Sequence, residues 1–382
     1  MAGPDAAAPT VESRRECPEC GAELVWSPPH QSLACAYCGT VVPTAVAAGA
    51  IAVPAGSIAV AAGSTAVEQD LLAALRDPPD GRGWGSGRRE IQCNSCKAIS
   101  VFVDGRVAQN CDFCGSPSVL VHESRNDAIT PQSVLPFRIE ERAVRDKVRA
   151  WYGKRWFAPN RLKSAAFTDR LHGVYLPYWT FDARVSARWT AEAGYSYYQT
   201  QQVRGADGSV RTQQVRQVRW EPAAGSFEHF FDDELVPGTE GAHARLLRRI
   251  EPFPTTTDLR PYQPEFVRGW TVERYQLDLR RAQAANLADM QAQVRALAAR
   301  QVPGDTQRNL QVDAEYTGRT FKHVLVPVWL ISYRYQGRPY QILTNGYTGA
   351  IAGEQPYSWA KIALAVLVAA LVLLVLASLE AR

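Results

Sequence analysis

The spacing of apolar and polar positions divides the 382-residue chain into stretches of different period. Residues 362–379, IALAVLVAALVLLVLASL, are eighteen in a row without charge, proline or glycine. At 1.5 Å per residue they cover about 27 Å, close to the hydrocarbon thickness of a bilayer. A buried helix of a soluble protein is rarely apolar on every face, so the stretch predicts one membrane-spanning helix. Tyr357 and Trp359 precede it, where amphipathic rings favour the interface, and Lys361 marks its edge.

Helical period occurs twice more. Residues 140–152 place Val144, Val148, Trp151 and Tyr152 on one face. Residues 276–301 place Leu287, Met290, Val294 and Leu297 on another and stop before Pro303. A β-rich run follows each: GVYLPYWTFDARVSARW from Gly173 and HVLVPVWLISYRYQGRPY from His323. Both contain apolar-Pro-apolar-Trp, with Pro177 and Trp179 in one and Pro327 and Trp329 in the other. Proline inside a strand predicts an edge or a bulge. Ala206-Asp207-Gly208, Asn345-Gly346 and Thr348-Gly349 are turn signals. The expected fold class is α+β, a duplicated helix-plus-antiparallel-sheet domain spanning repeats at 123–250 and 251–357, with a membrane tail at 358–382. Residues 44–67 are also uncharged, but Ala, Gly and Ser dominate them and a proline interrupts them. They read as a flexible linker within 43–87, which ends in a short helix at 68–77 before Pro78 and Pro79.

Chemistry is concentrated in the cysteines. Cys17, Cys20, Cys35 and Cys38 form two C-x2-C pairs with fourteen residues between them. Cys93, Cys96, Cys111 and Cys114 repeat the spacing 76 positions later, and these eight are all the cysteines in the chain. A tetrahedral zinc site takes four thiolates, and a C-x2-C turn offers two of them to one ion. Gly21, Gly39 and Gly115 follow their pairs, suiting a left-handed backbone, whereas Lys97 stands in that place after Cys96. Disulfides need an oxidising compartment, and MAGPDAAAPTVESRRE shows no export signal. A redox C-x-x-C motif would not come as two matched sets. The expectation is two structural Zn2+ ions in two zinc ribbons, residues 1–42 and 88–122. Thiolate sites persist in reducing cytosol, so the N-terminal bulk is expected to be cytoplasmic on a single-pass, tail-anchored membrane protein.

Charge narrows the partners. The formal balance is +4 with neutral cysteines; eight thiolates and two dications bring it to about zero. The first ribbon has Glu23 and no Lys or Arg between its cysteine pairs. The second sets Arg88, Arg89, Lys97 and Arg106 against Glu90, Asp104 and Asp112. Neither is the basic cluster that phosphate binding requires, so nucleic acid is not the expected partner. Residues 138–163 carry nine Lys or Arg and three acids, either a solvated face or a contact with anionic headgroups or an acidic partner. No P-loop, G-x-S-x-G or H-E-x-x-H occurs. Asp232, Asp233 and Glu234 read as a turn, since three consecutive acids on a strand cannot face one point. His172 and His323 read as structural histidines without an acid partner at set spacing. No catalytic residue and no small-molecule substrate is evident.

The paired cysteines, KRWFAPN, GVYLPYWTFDA, FDDELVP, PEFVRGWTVERYQLDL, VLVPVWL and NGYTGAIAGEQPYSW before an apolar tail resemble a bacterial family of TFIIB-type zinc-ribbon membrane proteins. Members often carry the label primosomal protein N′-like, yet this chain lacks the nucleotide-binding loop of a helicase. The resemblance, which runs from about residue 88 to the C-terminus, implies genes beside PspA-like and SPFH (flotillin-like) membrane-stress proteins and an adaptor role that recruits such partners to the bacterial inner membrane. Phe113, Tyr37 and Trp26 are the aromatic candidates for contacting a partner, unless they pack over the small ribbon cores. The alternative is a membrane-tethered nucleic-acid-binding zinc-ribbon protein, and an enzyme in the α+β domain comes third.

Overall fold

A computed structural model describes residues 16–42, 68–77, 89–102, 111–114, 116, 119–122, 128–160, 171–204, 210–240 and 244–380. The expected linker, the turn at 206–208 and Gly115 lie outside them. Strands β1 (Leu24–Ser27), β2 (Ser32–Cys35) and β3 (Val41–Val42) form a separate small sheet. Next come β4 (Gln69–Asp70), α1 (Leu71–Arg76), β5 (Arg89–Cys93), β6 (Ile99–Phe102), β7 (Val119–His122), β8 (Ser133–Val134) and α2 (Glu141–Gly153). The remainder is β9 (Leu171–Arg204), β10 (Val210–Pro237), α3 (Ala244–Leu247), β11 (Arg260–Pro261), β12 (Thr271–Arg274), α4 (Leu279–Gln301), β13 (Thr306–Tyr335), β14 (Arg338–Asn345), β15 (Ile351–Gly353) and α5 (Trp359–Glu380). This is an α+β fold.

All strands from β4 onward share one twelve-stranded sheet, organised by β9 and β13. These two pair antiparallel from Leu171↔Ile331 to Gly194↔Thr306. At roughly 3.3 Å per residue, the 34 residues of β9 reach about 110 Å. The pattern explains how one strand serves two environments. From Val174 to Phe181 every residue is buried, so both faces are covered. From Phe181 to Ala193 the odd positions are buried while Arg184, Ser186, Arg188 and Thr190 are exposed, the period-2 signature of a one-sided sheet. Beyond Gly194 the β9–β10 hairpin continues without β13, and Tyr197 and Tyr198 are exposed on it.

Pro177 and Pro327 lie on neither an edge nor a bulge. Leu176↔Val326 centres the pairing, with Pro177↔Leu325 and Tyr175↔Pro327 on either side. On its other flank β9 pairs with parallel β12 up to Tyr175 and with antiparallel β10 from Tyr178. Similarly, β13 pairs with parallel β8 up to Leu325 and with β14 from Val328. Each proline thus occupies the gap where one neighbour ends and the next begins, and its missing N–H costs no ladder bond. The surroundings of the two gaps correspond. Gly238 N donates to Pro177 O and Gly346 N to Pro327 O, both at 2.8 Å. Trp179 Nε1 donates to Leu277 O at 2.9 Å and Trp329 Nε1 to Ile139 O at 3.0 Å.

The helices follow the expected stripes with one adjustment. On α2, Val144, Val148, Trp151 and Tyr152 are buried. On α4 the buried face is Leu279, Ala282, Asn286, Met290, Val294 and Ala298, while Leu287 and Leu297 are half-buried flanks. Alanines 183 and 187 on β9 face this helix within one core cluster, and small side chains on both surfaces allow close approach. Asp278 caps α4, its Oδ1 accepting from Arg281 N at 2.8 Å. In the double-covered half, α2 with Phe137, Tyr175 and Trp329 packs one face. Leu176, Tyr178, Val326 and α3 pack the other.

Candidate metal centres and their seating

Each cysteine pair sits in the same turn. Gly21 N donates to Cys17 O at 2.9 Å, Gly39 N to Cys35 O at 3.0 Å and Lys97 N to Cys93 O at 2.9 Å. In return Cys17 N reaches Ala22 O, Cys35 N reaches Thr40 O, Cys93 N reaches Ala98 O and Cys111 N reaches Ser116 O, at 2.7–2.9 Å. The turn requires positive φ at the residue after its second cysteine: 71° at Gly21, 76° at Gly39 and 64° at Lys97. Lys97 therefore adopts the glycine conformation rather than changing the turn, at a cost of about 1 kcal/mol.

The turns bring Cys17, Cys20, Cys35 and Cys38 together, and likewise Cys93, Cys96, Cys111 and Cys114, each group with its sulfurs within 4.8 Å of one another. Within the first, Cys17–Cys38 and Cys20–Cys35 are 3.4 and 3.5 Å apart. Within the second, Cys93–Cys114 and Cys96–Cys111 are 3.5 and 3.7 Å. Four thiols so close cannot all ionise without a cation. The Cys111 sulfur, with that of Cys114, pushes the Cys96 thiol well up, while Cys111 and Cys96 pull Cys114 down to about 2. The donor set fits a metal ion with an affinity for thiolate.

The two centres are seated differently, which spacing could not show. Ribbon 1 keeps its own core of Leu24, Leu33, Cys17 and Cys35. Trp26, however, belongs to the core of the body, where its ring meets Phe266 edge-on at 4.7 Å. Trp26 N donates to Arg268 O at 3.3 Å, and Gln31 Nε2 to Phe137 O at 2.8 Å. Ribbon 2 is part of the large sheet, because β6 pairs with β12. Its Phe113 is fully buried, and its carbonyl accepts from Gln341 Nε2 at 3.1 Å and from Ser332 Oγ. Arg274 and Glu90 form a buried ion pair at 2.8 Å. Trp26 and Phe113 are thus inside the molecule, spent on holding the ribbons to the body. Tyr37 alone of the three aromatic candidates is exposed, at 86%.

Asp232–Glu234 is not a turn. It lies within β10 at a bulge between Phe231 and Glu234, and Asp233 has φ 52°. Asp233 lies on the inner side with Phe231, as the alternation places it, and faces Lys322, whose Nζ is 2.7 Å from its carboxylate and 3.2 Å from that of Glu68. Asp182 accepts from Asp233 N at 2.6 Å and from Thr320 Oγ1 at 2.7 Å. Burial raises Asp182 to about 7. Burial opposes the charge on Lys322, but Asp233 and its neighbours outweigh it and hold the amine up. His323 is fully buried, stacked on Trp179, with Nδ1 2.9 Å from Ile129 O, and burial pulls it down to about 4. A neutral ring in that setting is structural; His172 is exposed.

Helix α5 leaves the body and is long and apolar enough to cross a membrane, with none of Trp359–Leu379 buried. Its first turn is held by the segment after α2. Lys361 Nζ donates to Trp156 O at 2.9 Å, Ala158 O at 2.8 Å and Asn160 Oδ1 at 2.7 Å, and Ser358 N donates to Phe157 O at 2.8 Å. No local pattern in the sequence records this hold.

No family model matches the chain, and no solved structure matches it. Over 244 residues it is 23% identical to the "Uncharacterized protein YdjG" of Bacillus subtilis (strain 168). That likeness covers 62% of this chain and 66% of the relative. The chain therefore spans just under two thirds of that relative's length.

Proposed function

We propose that this protein is a membrane-anchored zinc-ribbon adaptor that recruits cytosolic protein partners to the inner membrane. The observation that carries the reading is the thiol arrangement. Each centre draws four ligands from two turns, which completes a tetrahedron and leaves no position for substrate or activated water. Zn–S bonds of about 2.3 Å require sulfurs about 3.8 Å apart, and the closest pairs approach that spacing. The eight cysteines would thus hold two structural Zn2+ ions whose work is to fix a surface. Thiolate sites favour a reducing compartment, which puts the body in the cytosol and the tail across the membrane.

The corresponding hydrogen bonds around Pro177 and Pro327 support an internal duplication in which the two repeats interleave in one sheet. Ribbon 2 serves as part of that platform, whereas ribbon 1 turns Tyr37 outward and is the partner-facing module. The partners are PspA-like or SPFH-type proteins, as the family resemblance implies. In vivo cross-linking of the full-length wild type, Cys17→Ser and Tyr37→Ala tests this. Loss of the same protein neighbours from both variants is expected. Retention of all neighbours in both would reject ribbon 1 as the docking element.

A further inference from the structure

Lys361 fixes a depth as well as a contact. It directly precedes the apolar run 362–379, so it marks the level at which polar chain gives way to hydrocarbon. Its ammonium makes three contacts of 2.7–2.9 Å to residues 156–160. An ammonium has three donors, so this one is committed to the turn and does not extend toward water. The turn must consequently lie at the level of Lys361.

The side chains at that level are unusual for a surface in water. Trp156 is 66% exposed, Phe157 37%, Tyr357 58% and Trp359 77%. Phe157 and Tyr357 also wall an apolar groove of about 460 Å³ whose other side is Ile362, Ala365, Val366 and Ala369 of α5. One wall of the groove is the apolar helix itself, so whatever surrounds that helix also fills the groove. Positive charge adjoins the turn. Lys154 is exposed, and the Arg155 guanidinium lies over the Trp151 ring and donates to Trp151 O at 2.9 Å. An aromatic rim with cations beside it in the chain matches the headgroup–acyl boundary of a phospholipid bilayer.

We propose that the Trp156–Phe157 turn is a second membrane-contacting element, inserted into the interfacial layer beside α5, with acyl chain filling the groove and Lys154 and Arg155 against anionic headgroups. It fixes the height and tilt of the body on the bilayer, where α5 alone would leave the body to swing. The inference rests on α5 crossing the membrane.

The test uses the full-length protein in phosphatidylcholine–phosphatidylglycerol vesicles, with or without acyl chains brominated near the carbonyl end. The emission of Trp156 is obtained by subtracting that of Trp156→Phe, a mild exchange at an exposed position. Expected is loss of most of the Trp156 emission in brominated vesicles, together with protection from aqueous iodide. A Trp156 component quenched freely by iodide and untouched by bromolipid, in protein that stays in the vesicles through an alkaline wash, would overturn the proposal. Release of the protein by that wash would instead overturn the membrane reading beneath it.

Discussion

Trp26→Ala should detach ribbon 1 from the body without emptying its metal site. The indole is 1% exposed, and its neighbours belong to the body's core, not to the Leu24–Leu33 core of the ribbon. Truncating a buried Trp to Ala costs about 3–5 kcal/mol. The other described holds are the packing of Val25 on Gly269 and two hydrogen bonds, from Trp26 N and Gln31 Nε2, worth roughly 1 kcal/mol each. The ratio of docked to undocked ribbon should therefore fall by a factor on the order of 10² to 10⁴. Hydrogen exchange of the full-length protein in detergent reads this directly. Protection should fall across residues 264–270, which the ribbon covers, while the amides of Gly21 and Gly39 inside the metal turns stay protected and metal content is unchanged. Loss of one metal ion would mean that Trp26 supports the ribbon's own fold. Unchanged protection at 264–270 would mean that other contacts hold the interface.

Three further expectations follow from the seating of the centres and from one buried acid. Elemental analysis should give two zinc ions per chain; Cys17→Ser should lose one and leave the body's melting intact. Cys111→Ser should lose one and also lower the body's melting temperature, because Phe113 and the β6–β12 pairing tie that ribbon into the common sheet; equal melting of the two variants would refute the distinction. Lys97→Gly should raise resistance to chelator by about 1 kcal/mol, since Lys97 holds φ 64°, and a faster loss of metal would contradict this. Burial raises Glu273 to about 8 from 4.5 against the pull of Thr239 Oγ1. The folded state therefore keeps a proton that the unfolded state releases, and stability is full below pH 4.5 and declines as pH rises to about 8, by a few kcal/mol at order of magnitude. Glu273→Gln should flatten that decline in urea midpoints measured across the range; an unchanged slope would assign it elsewhere.

The sequence by itself determined whatever depends on short-range spacing. Four cysteines in two x2 turns form the same local hydrogen bonds wherever the turn lies, so both sulfur clusters were legible residue by residue. The apolar run before Glu380 and the stripe of Val144, Val148, Trp151 and Tyr152 were legible because one helical period encodes them. Tertiary structure decided everything that depends on which surfaces meet. Trp26 and Phe113 look like surface aromatics on a ribbon of a few dozen residues, but become core once the body lies against them. Pro177 and Pro327 indicate an edge by their chemistry, yet a central strand tolerates them because its neighbours change at that point. Asp233 continues the inward alternation of Phe231, but only the tertiary structure brings Lys322 and Glu68 to its side. Trp156 and Lys361, 205 positions apart, meet because α2 returns the chain to the base of the apolar helix α5. Such contacts depend on how distant segments are folded together, and no local period in the sequence records that.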